Sequence, residues 1–176
     1  LYLSDGSGKN SPLTDVLKEY VAKDSRIFAI ENCQQLHISE NTNQALKKVT
    51  GDFIVFADHD DMLAPDALYE CAKVMNQFPE TDIIYTDEDK VSMDGKEYYH
   101  PHFKPDFNLD LLRSANYMCH LYVVRKTLFD KIGYLNEKYN GSQDYDFILR
   151  CIEKTKHIVH IPKILYHWRM HPHSVA

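Results

Sequence analysis

The chain has 176 residues, 44% of them hydrophobic and 26% charged, with a formal net charge of −6. That is one domain's worth of chain, with enough apolar residues for a sizeable core. The acidic balance argues against a nucleic-acid partner, and no apolar run approaches the roughly 20 residues that a membrane-spanning helix needs.

Leu1-Tyr2-Leu3 reads as the end of a strand, broken at Ser4-Asp5-Gly6-Ser7-Gly8. Over residues 12–23, Leu13, Val16, Leu17, Tyr20 and Val21 recur at helical spacing and predict an amphipathic helix. Residues 26–30 form a second strand. Residues 39–49 predict a helix with Ser39 as N-cap and Gly51 just past its end. A short apolar run, residues 53–57, has the character of a strand buried on both faces. A helix with Pro65 in its first turn follows to about Phe78.

Residues 82–85 make another strand, which runs into Asp87, Glu88 and Asp89. Met93-Asp94-Gly95-Lys96 is a hairpin turn and residues 100–110 a long ordered loop. A strand at 120–124 leads to a short helix at 126–132, closed by Gly133. The helix at 143–156 carries Asp144 and Asp146 in its first turn, where the helix dipole favours anions. Two short strands, 158–161 and 164–168, close the chain around Pro162. Strands alternating with helices predict an α/β sheet with its acids along one edge.

The sharpest chemical signal is the apolar run 53–57 stopping on Asp58-His59-Asp60-Asp61. An unpaired carboxylate is costly to bury, so these acids belong at the strand's C-terminal end, where open α/β sheets bind ligands. Clustered carboxylates repel unless a cation neutralises them, and hard oxygens suit Mg²⁺ or Mn²⁺. The plain alternative is a solvated acidic turn. Asp144, behind Gly141-Ser142-Gln143, is a second acid suited to act as a base. His167, Arg169 and His171 gather donors near the C-terminus, where arginine suits a phosphate and histidine a metal or an oxyanion. These parts suit group transfer from a diphosphate donor. Cys33, Cys71, Cys119 and Cys151 are scattered, as in a protein of a reducing cytoplasm. The pairs His100/His102 and His171/His173 lack the cysteine partners of a structural zinc site.

Taken together, these blocks resemble the family-two glycosyltransferases of bacterial surface-polysaccharide synthesis. The resemblance rests on Ser4-Asp5-Gly6-Ser7, Asn43-Gln44-Ala45-Leu46, Asp58-His59-Asp60-Asp61 and Thr86-Asp87-Glu88-Asp89-Lys90. Phe103-Lys104-Pro105-Asp106, Gly141-Ser142-Gln143-Asp144 and Leu165-Tyr166-His167-Trp168-Arg169 complete it in family order.

It implies an α/β GT-A fold, Rossmann-like, with a mostly parallel central sheet flanked by helices. The resemblance also implies a single domain, residues 1–176, lacking the family's first strand and helix. Asp58 and Asp60 would hold Mn²⁺ or Mg²⁺ with His171. Asp5, Asn43, Asp58, Asp60 and Arg169 would bind the nucleotide-diphosphate sugar. Asp144 would be the base of an inverting transfer, across the cleft from Asp60. Asp87, Glu88, Asp89 and His120 would lie on the side of a glycan or lipid-linked acceptor. The expected place is the cytoplasm, with peripheral contact with the inner membrane through a longer parent chain. Ser4 stands where the family often has an aspartate that contacts the base. Two other readings use the same residues: a non-catalytic docking module, and a metal-dependent phosphohydrolase. Against the latter, Met62 stands where an Asp-x-Asp-x-Thr motif needs its threonine.

Overall fold

The computed structural model describes residues 1–170. In chain order the elements begin β1 (Tyr2–Asp5), α1 (Thr14–Lys23), β2 (Phe28–Glu31), α2 (Ile38–Leu46) and β3 (Phe53–Phe56). Next come β4 (Met62–Leu63), α3 (Ala67–Gln77), β5 (Ile83–Val91), β6 (Tyr98–His102) and α4 (Leu109–Ser114). The last are β7 (Tyr122–Arg125), α5 (Lys126–Ile132), a 3₁₀ turn at Glu137–Tyr139, α6 (Gln143–Ile152) and β8 (Ile158–Arg169). They form two compact units: residues 1–51 with 132–150, and residues 52–131 with the chain from Cys151 onward. No helix among the described residues is long and apolar enough to cross a membrane.

In the first unit β1 and β2 pair in parallel, Tyr2 opposite Phe28 through Asp5 opposite Glu31. Parallel neighbours need a crossover, which α1 supplies. The rings of Tyr2 and Phe28 stack at 5.0 Å. A polar knot closes the strand ends: Ser4 Oγ donates to Asn41 Oδ1 at 2.7 Å, and the Asn32 amide donates to the Asp5 carbonyl at 2.8 Å. Gly6 fits beside this knot because a Cβ there would meet Asn41 at 2.9 Å. Helix α2 starts one residue earlier than expected. His37 occupies the cap position, its N–H donating to Glu40 Oε2 at 3.2 Å. Ser39 lies inside the helix and buried, its N–H given to Asn140 Oδ1.

The second unit is a six-stranded sheet in the order β3-β7-β5-β8-β4, with β6 also on β5. Strand β5 organises it, pairing with β7 over Ile83–Tyr85 and with β6 from Glu88 to Val91. Strand β8 runs parallel along the full length of β5. Ile83, Ile84, Tyr85, Leu121, Val123 and Tyr166 are fully buried, each large aliphatic side chain contributing about 1.5–3 kcal/mol.

The α/β expectation holds, but the sheet is mixed rather than mostly parallel. β3 is antiparallel to β7, and so are β5 to β7, β5 to β6 and β4 to β8. The two strands expected around Pro162 are a single strand. Ile161 pairs opposite Thr86 and Ile164 opposite Asp87, so Pro162 and Lys163 bulge out of the ladder. Proline has no N–H to donate, and a bulge accommodates it without ending the strand.

Candidate functional site

Strand β3 ends at Phe56, and the chain then makes a tight turn in which the Asp61 N–H donates to the Asp58 carbonyl at 3.3 Å. The first and fourth residues of such a turn come close together. Asp58, Asp61 and His120 therefore each present a ligand atom, all within 4.8 Å of one another. Asp60, expected as the partner of Asp58, is not in that group; its side chain is 44% exposed, against 56% for Asp58, and its Oδ1 lies 3.9 Å from His59 Nδ1. His171, the third expected ligand, lies outside the described residues.

Asp61 is held from two directions. The Tyr166 hydroxyl donates to its Oδ2 at 2.5 Å and the Arg169 N–H to its Oδ1 at 2.7 Å. Burial, with the Asp58 charge adding, raises the Asp61 carboxyl above its usual range despite these two donors. Burial and the acceptor Asp61 raise Tyr166 well above the usual phenol range, so it remains a neutral donor. Two carboxylates and an imidazole at a strand end make a donor set that fits a divalent cation of the Mn²⁺ or Mg²⁺ type.

Arg169 is not a loose cationic arm. Its Nε donates to the Asp60 carbonyl at 2.6 Å and its Nη1 to the Met93 carbonyl at 2.7 Å. It thereby fastens the β5–β6 hairpin turn to the acidic turn after β3. The Trp168 ring lies edge-on to His120 at 5.6 Å, with the Lys90 ammonium 4.3 Å from its centroid.

Asp87, Glu88 and Asp89 depart most from expectation. The strand does not end on them but carries them into the interior, where they are 2%, 7% and 7% exposed. Each finds a partner from a distant segment. Asp87 Oδ1 lies 2.8 Å from His160 Nε2 and accepts the Lys104 N–H at 2.9 Å. Asp89 Oδ1 lies 2.6 Å from His167 Nδ1. Glu88 accepts from the Lys104 ammonium at 3.2 Å and from the His120 N–H at 2.5 Å. Lys104 is fully buried, and burial lowers its pKa despite the Glu88 charge. Lys104 and Tyr166 carry no site signal in the sequence beyond their place in the Phe103–Asp106 and Leu165–Arg169 blocks, and His160 carries none.

In the first unit, Asn43 is no ligand-facing residue. It is buried, its Nδ2 donating to the Leu135 carbonyl at 2.9 Å while its Oδ1 accepts the Leu135 N–H at 3.0 Å. One carboxamide matches one residue's donor and acceptor, so Asn43 shapes the unit instead of facing a nucleotide. Asp5 is different. Its Oδ1 accepts the Ser7 N–H at 2.9 Å, while Oδ2 is buried without a hydrogen-bond partner among the described residues. Burial opposes its ionisation, yet hydrogen bonds from Ser11 and Ser7 hold the carboxyl below its usual range. Asp144 sits half-buried in the first turn of α6, after Gly141, whose N–H donates to Gln143 Oε1 at 2.7 Å.

Comparison with known proteins agrees with this picture. A family model described as "Glycosyl transferase family 2" matches residues 1–133. The chain is 41% identical to the uncharacterized protein y4gI of Sinorhizobium fredii over its whole length, which is 20% of that protein. It is 36% identical over 95% of its length to the O-antigen biosynthesis protein RfbC of Myxococcus xanthus, spanning 13% of it. The chain thus spans a fifth or less of these two relatives. Among solved structures, TarS 1–349 of S. aureus superposes with a TM-score of 0.72 at 18% identity, over 96% of this chain and 50% of that one. The same protein in complex with UDP gives 0.72 over 97% and 51%. This likeness establishes the fold, and the α/β GT-A expectation stands.

Proposed function

We propose that this chain, which belongs to glycosyl transferase family 2, moves a sugar from a nucleotide-diphosphate donor to a hydroxyl of a glycan or lipid-linked acceptor, with inversion and with the help of a divalent cation. The observation that carries the reading is the turn after β3, which brings Asp58 and Asp61 together where a cation fits. RfbC, a relative named for O-antigen biosynthesis, supports a surface-polysaccharide product. The UDP complex of TarS supports a nucleotide donor.

Asp58 and Asp61 would hold Mn²⁺ or Mg²⁺, which when bound offsets charge on the departing diphosphate. Asp60, in the same turn, would meet the donor diphosphate. Asp5 offers its buried, unpartnered oxygen to a donor group of the nucleotide. Asp144, in the first turn of α6, takes the proton from the acceptor hydroxyl. That needs approach within about 3 Å, directly or through one water. Asp87, Glu88 and Asp89 serve the acceptor side indirectly, because their carboxylates are buried; they fix the groups that surround it. All four cysteines are free thiols, as suits a cytoplasmic site of action.

The test is a panel of UDP-, GDP- and dTDP-sugars offered to the longer parent protein, with Mn²⁺, with Mg²⁺ and with EDTA. Transfer that requires a cation and is abolished by D61N supports the reading. Undiminished transfer in EDTA, or phosphate release without sugar transfer, overturns it.

A further inference from the structure

Three strands of the second unit lay one row of side chains across a shared face. Lys90 of β5 pairs opposite Tyr99 of β6 on one side and opposite Trp168 of β8 on the other. Side chains of directly opposite residues stand on the same face as close neighbours. From the sheet edge inward the row therefore reads phenol, ammonium, indole. Its inner end reaches the acidic turn: the Trp168 ring meets His120 at 5.6 Å, and His120 Nε2 lies 4.0 Å from Asp58 Oδ2.

An irregular strand sets up this row. Between the pair Glu88–His102 and the pair Lys90–Tyr99, β5 advances from 88 to 90 while β6 goes from 102 to 99, so β6 carries one residue more. Within that bulge His100 holds φ at +50°, in the left-handed region that residues other than glycine seldom occupy. Bulges re-aim side chains beside functional sites, and backbone strain gathers at such sites. Strand β6 gains no burial from it, since all five of its residues are exposed.

Lys90 is the one charge in the row, and no carboxylate of the described residues pairs with it. Its ammonium sits 4.3 Å from the centroid of the Trp168 ring, held there by attraction to the ring's negative face. An exposed phenol beside an unpaired ammonium, on an open sheet face, suits a sugar that carries an acid group. The apolar C–H face of a pyranose lies on the phenol ring while its carboxylate meets the ammonium. One compact ammonium matches one carboxylate, whereas a phosphate is better met by the fork of an arginine. The arginine at this end of the sheet, Arg169, is already committed to the carbonyls of Asp60, Ser92 and Met93.

We propose that Tyr99 and Lys90 form an acceptor platform, and that the acceptor glycan it takes bears a hexuronate. The sugar ring rests on Tyr99, the carboxylate meets Lys90, and Trp168 orients the ammonium. The proposal rests on the glycosyltransferase reading and deepens it by giving the acceptor a chemical class.

Trp168 is the only tryptophan of the chain, so its emission reports on the row directly. The chain, saturated with UDP, is titrated with three disaccharide methyl glycosides that differ only in their terminal residue: glucuronate, glucose or glucose 6-phosphate. The glucuronate form is expected to bind about tenfold more tightly than the glucose form, as a hydrogen bond to a charged group provides. K90M keeps an unbranched side chain over Trp168 and should bind the two forms equally, while K90R should keep the preference. Y99A should weaken both forms by a common factor. If K90M does not fold, K90Q decides. Equal affinities in wild type, tighter binding of the 6-phosphate, or a glucuronate preference that survives the loss of the ammonium each overturn the proposal. Emission unmoved by any of the three glycosides, with a parent protein that passes the nucleotide-sugar panel above, overturns it and spares the glycosyltransferase reading. A parent that fails that panel overturns the reading on which it rests.

Discussion

The Tyr166 hydroxyl donates to Asp61 across 2.5 Å while accepting the Asp58 N–H at 3.1 Å. One phenol from β8 thus fixes both acids that the turn after β3 brings together. Replacing Tyr166 by Phe removes a hydrogen bond to a carboxylate and leaves a backbone donor unsatisfied. Such losses cost about 1–3 kcal/mol. Urea titration of Y166F should show that loss of stability; an unchanged midpoint would mean that solvent substitutes for the phenol.

Asn43 tests whether a residue within a family-like motif acts on ligand or on fold. N43L leaves the Leu135 N–H and carbonyl without their partner, at about 1–3 kcal/mol for each buried group. The variant should lose stability on that scale while UDP affinity in the folded fraction stays that of wild type. Weakened UDP binding at full stability would return Asn43 to the nucleotide site.

The cysteines give a pH-dependent readout. Burial pushes the Cys71 thiol up from 9.0 to about 11, with Glu70 adding to it. A folded-state pKa above the unfolded one gives stability that is fully present below pH 9.0 and lost as pH rises through about 11. Stability should therefore decline across that alkaline window, and less so in C71A. Iodoacetamide near the ordinary thiol pKa, about 8.5, should label exposed Cys33 quickly. Cys71 should react only on unfolding.

Much of this architecture was legible in the residues, for reasons that are local. Gly133 closes α5 because φ of +83° is easy only for glycine, and the Met93–Lys96 turn works through Gly95 at +74°. The run 53–57 ending on acids marked the site because an unpaired charge is costly to bury, although β3 is an outer strand of its sheet with Ile54 alone of its four residues buried. What stayed hidden depends on contacts far along the chain. Asp87 and Asp89 look like a strand's end until His160 and His167 arrive from 73 and 78 residues away. The pairing direction of β3 is set by β7, which no periodicity in residues 53–57 reveals. Asp60 and Asp61 are alike in sequence, and only the turn hydrogen bond to Asp58 decides which of them faces inward.

Asp144 belongs to the Gly141-Ser142-Gln143-Asp144 block of the resemblance, beyond the residues 1–133 that the family model matches, and its role can be separated from donor binding. D144N keeps the shape and the half-buried place in the first turn of α6 but cannot take a proton. General-base catalysis contributes about 10²–10⁴-fold. The longer parent protein carrying D144N should lose transfer on that scale while nucleotide affinity stays that of wild type. Transfer within about tenfold of wild type would remove Asp144 from the mechanism.

Asp5 combines a role in the β1 turn with an oxygen that a ligand could use. Its Oδ2 is buried with no partner among the described residues, and an unsatisfied buried carboxylate oxygen destabilises a fold. Its Oδ1 still accepts the Ser7 N–H at 2.9 Å, so D5N can keep that bond while presenting an amide where the unpartnered oxygen stood. If this oxygen serves a donor group of the nucleotide, D5N should lose some stability, because the fold favours the ionised carboxyl, and should in its folded fraction bind UDP more weakly. The expected loss is about 1.5–3 kcal/mol, the worth of a hydrogen bond to a charged group. Calorimetric titration of UDP alongside thermal melting separates the outcomes. Lower stability with unchanged UDP affinity would make Asp5 a structural residue of the β1 turn alone.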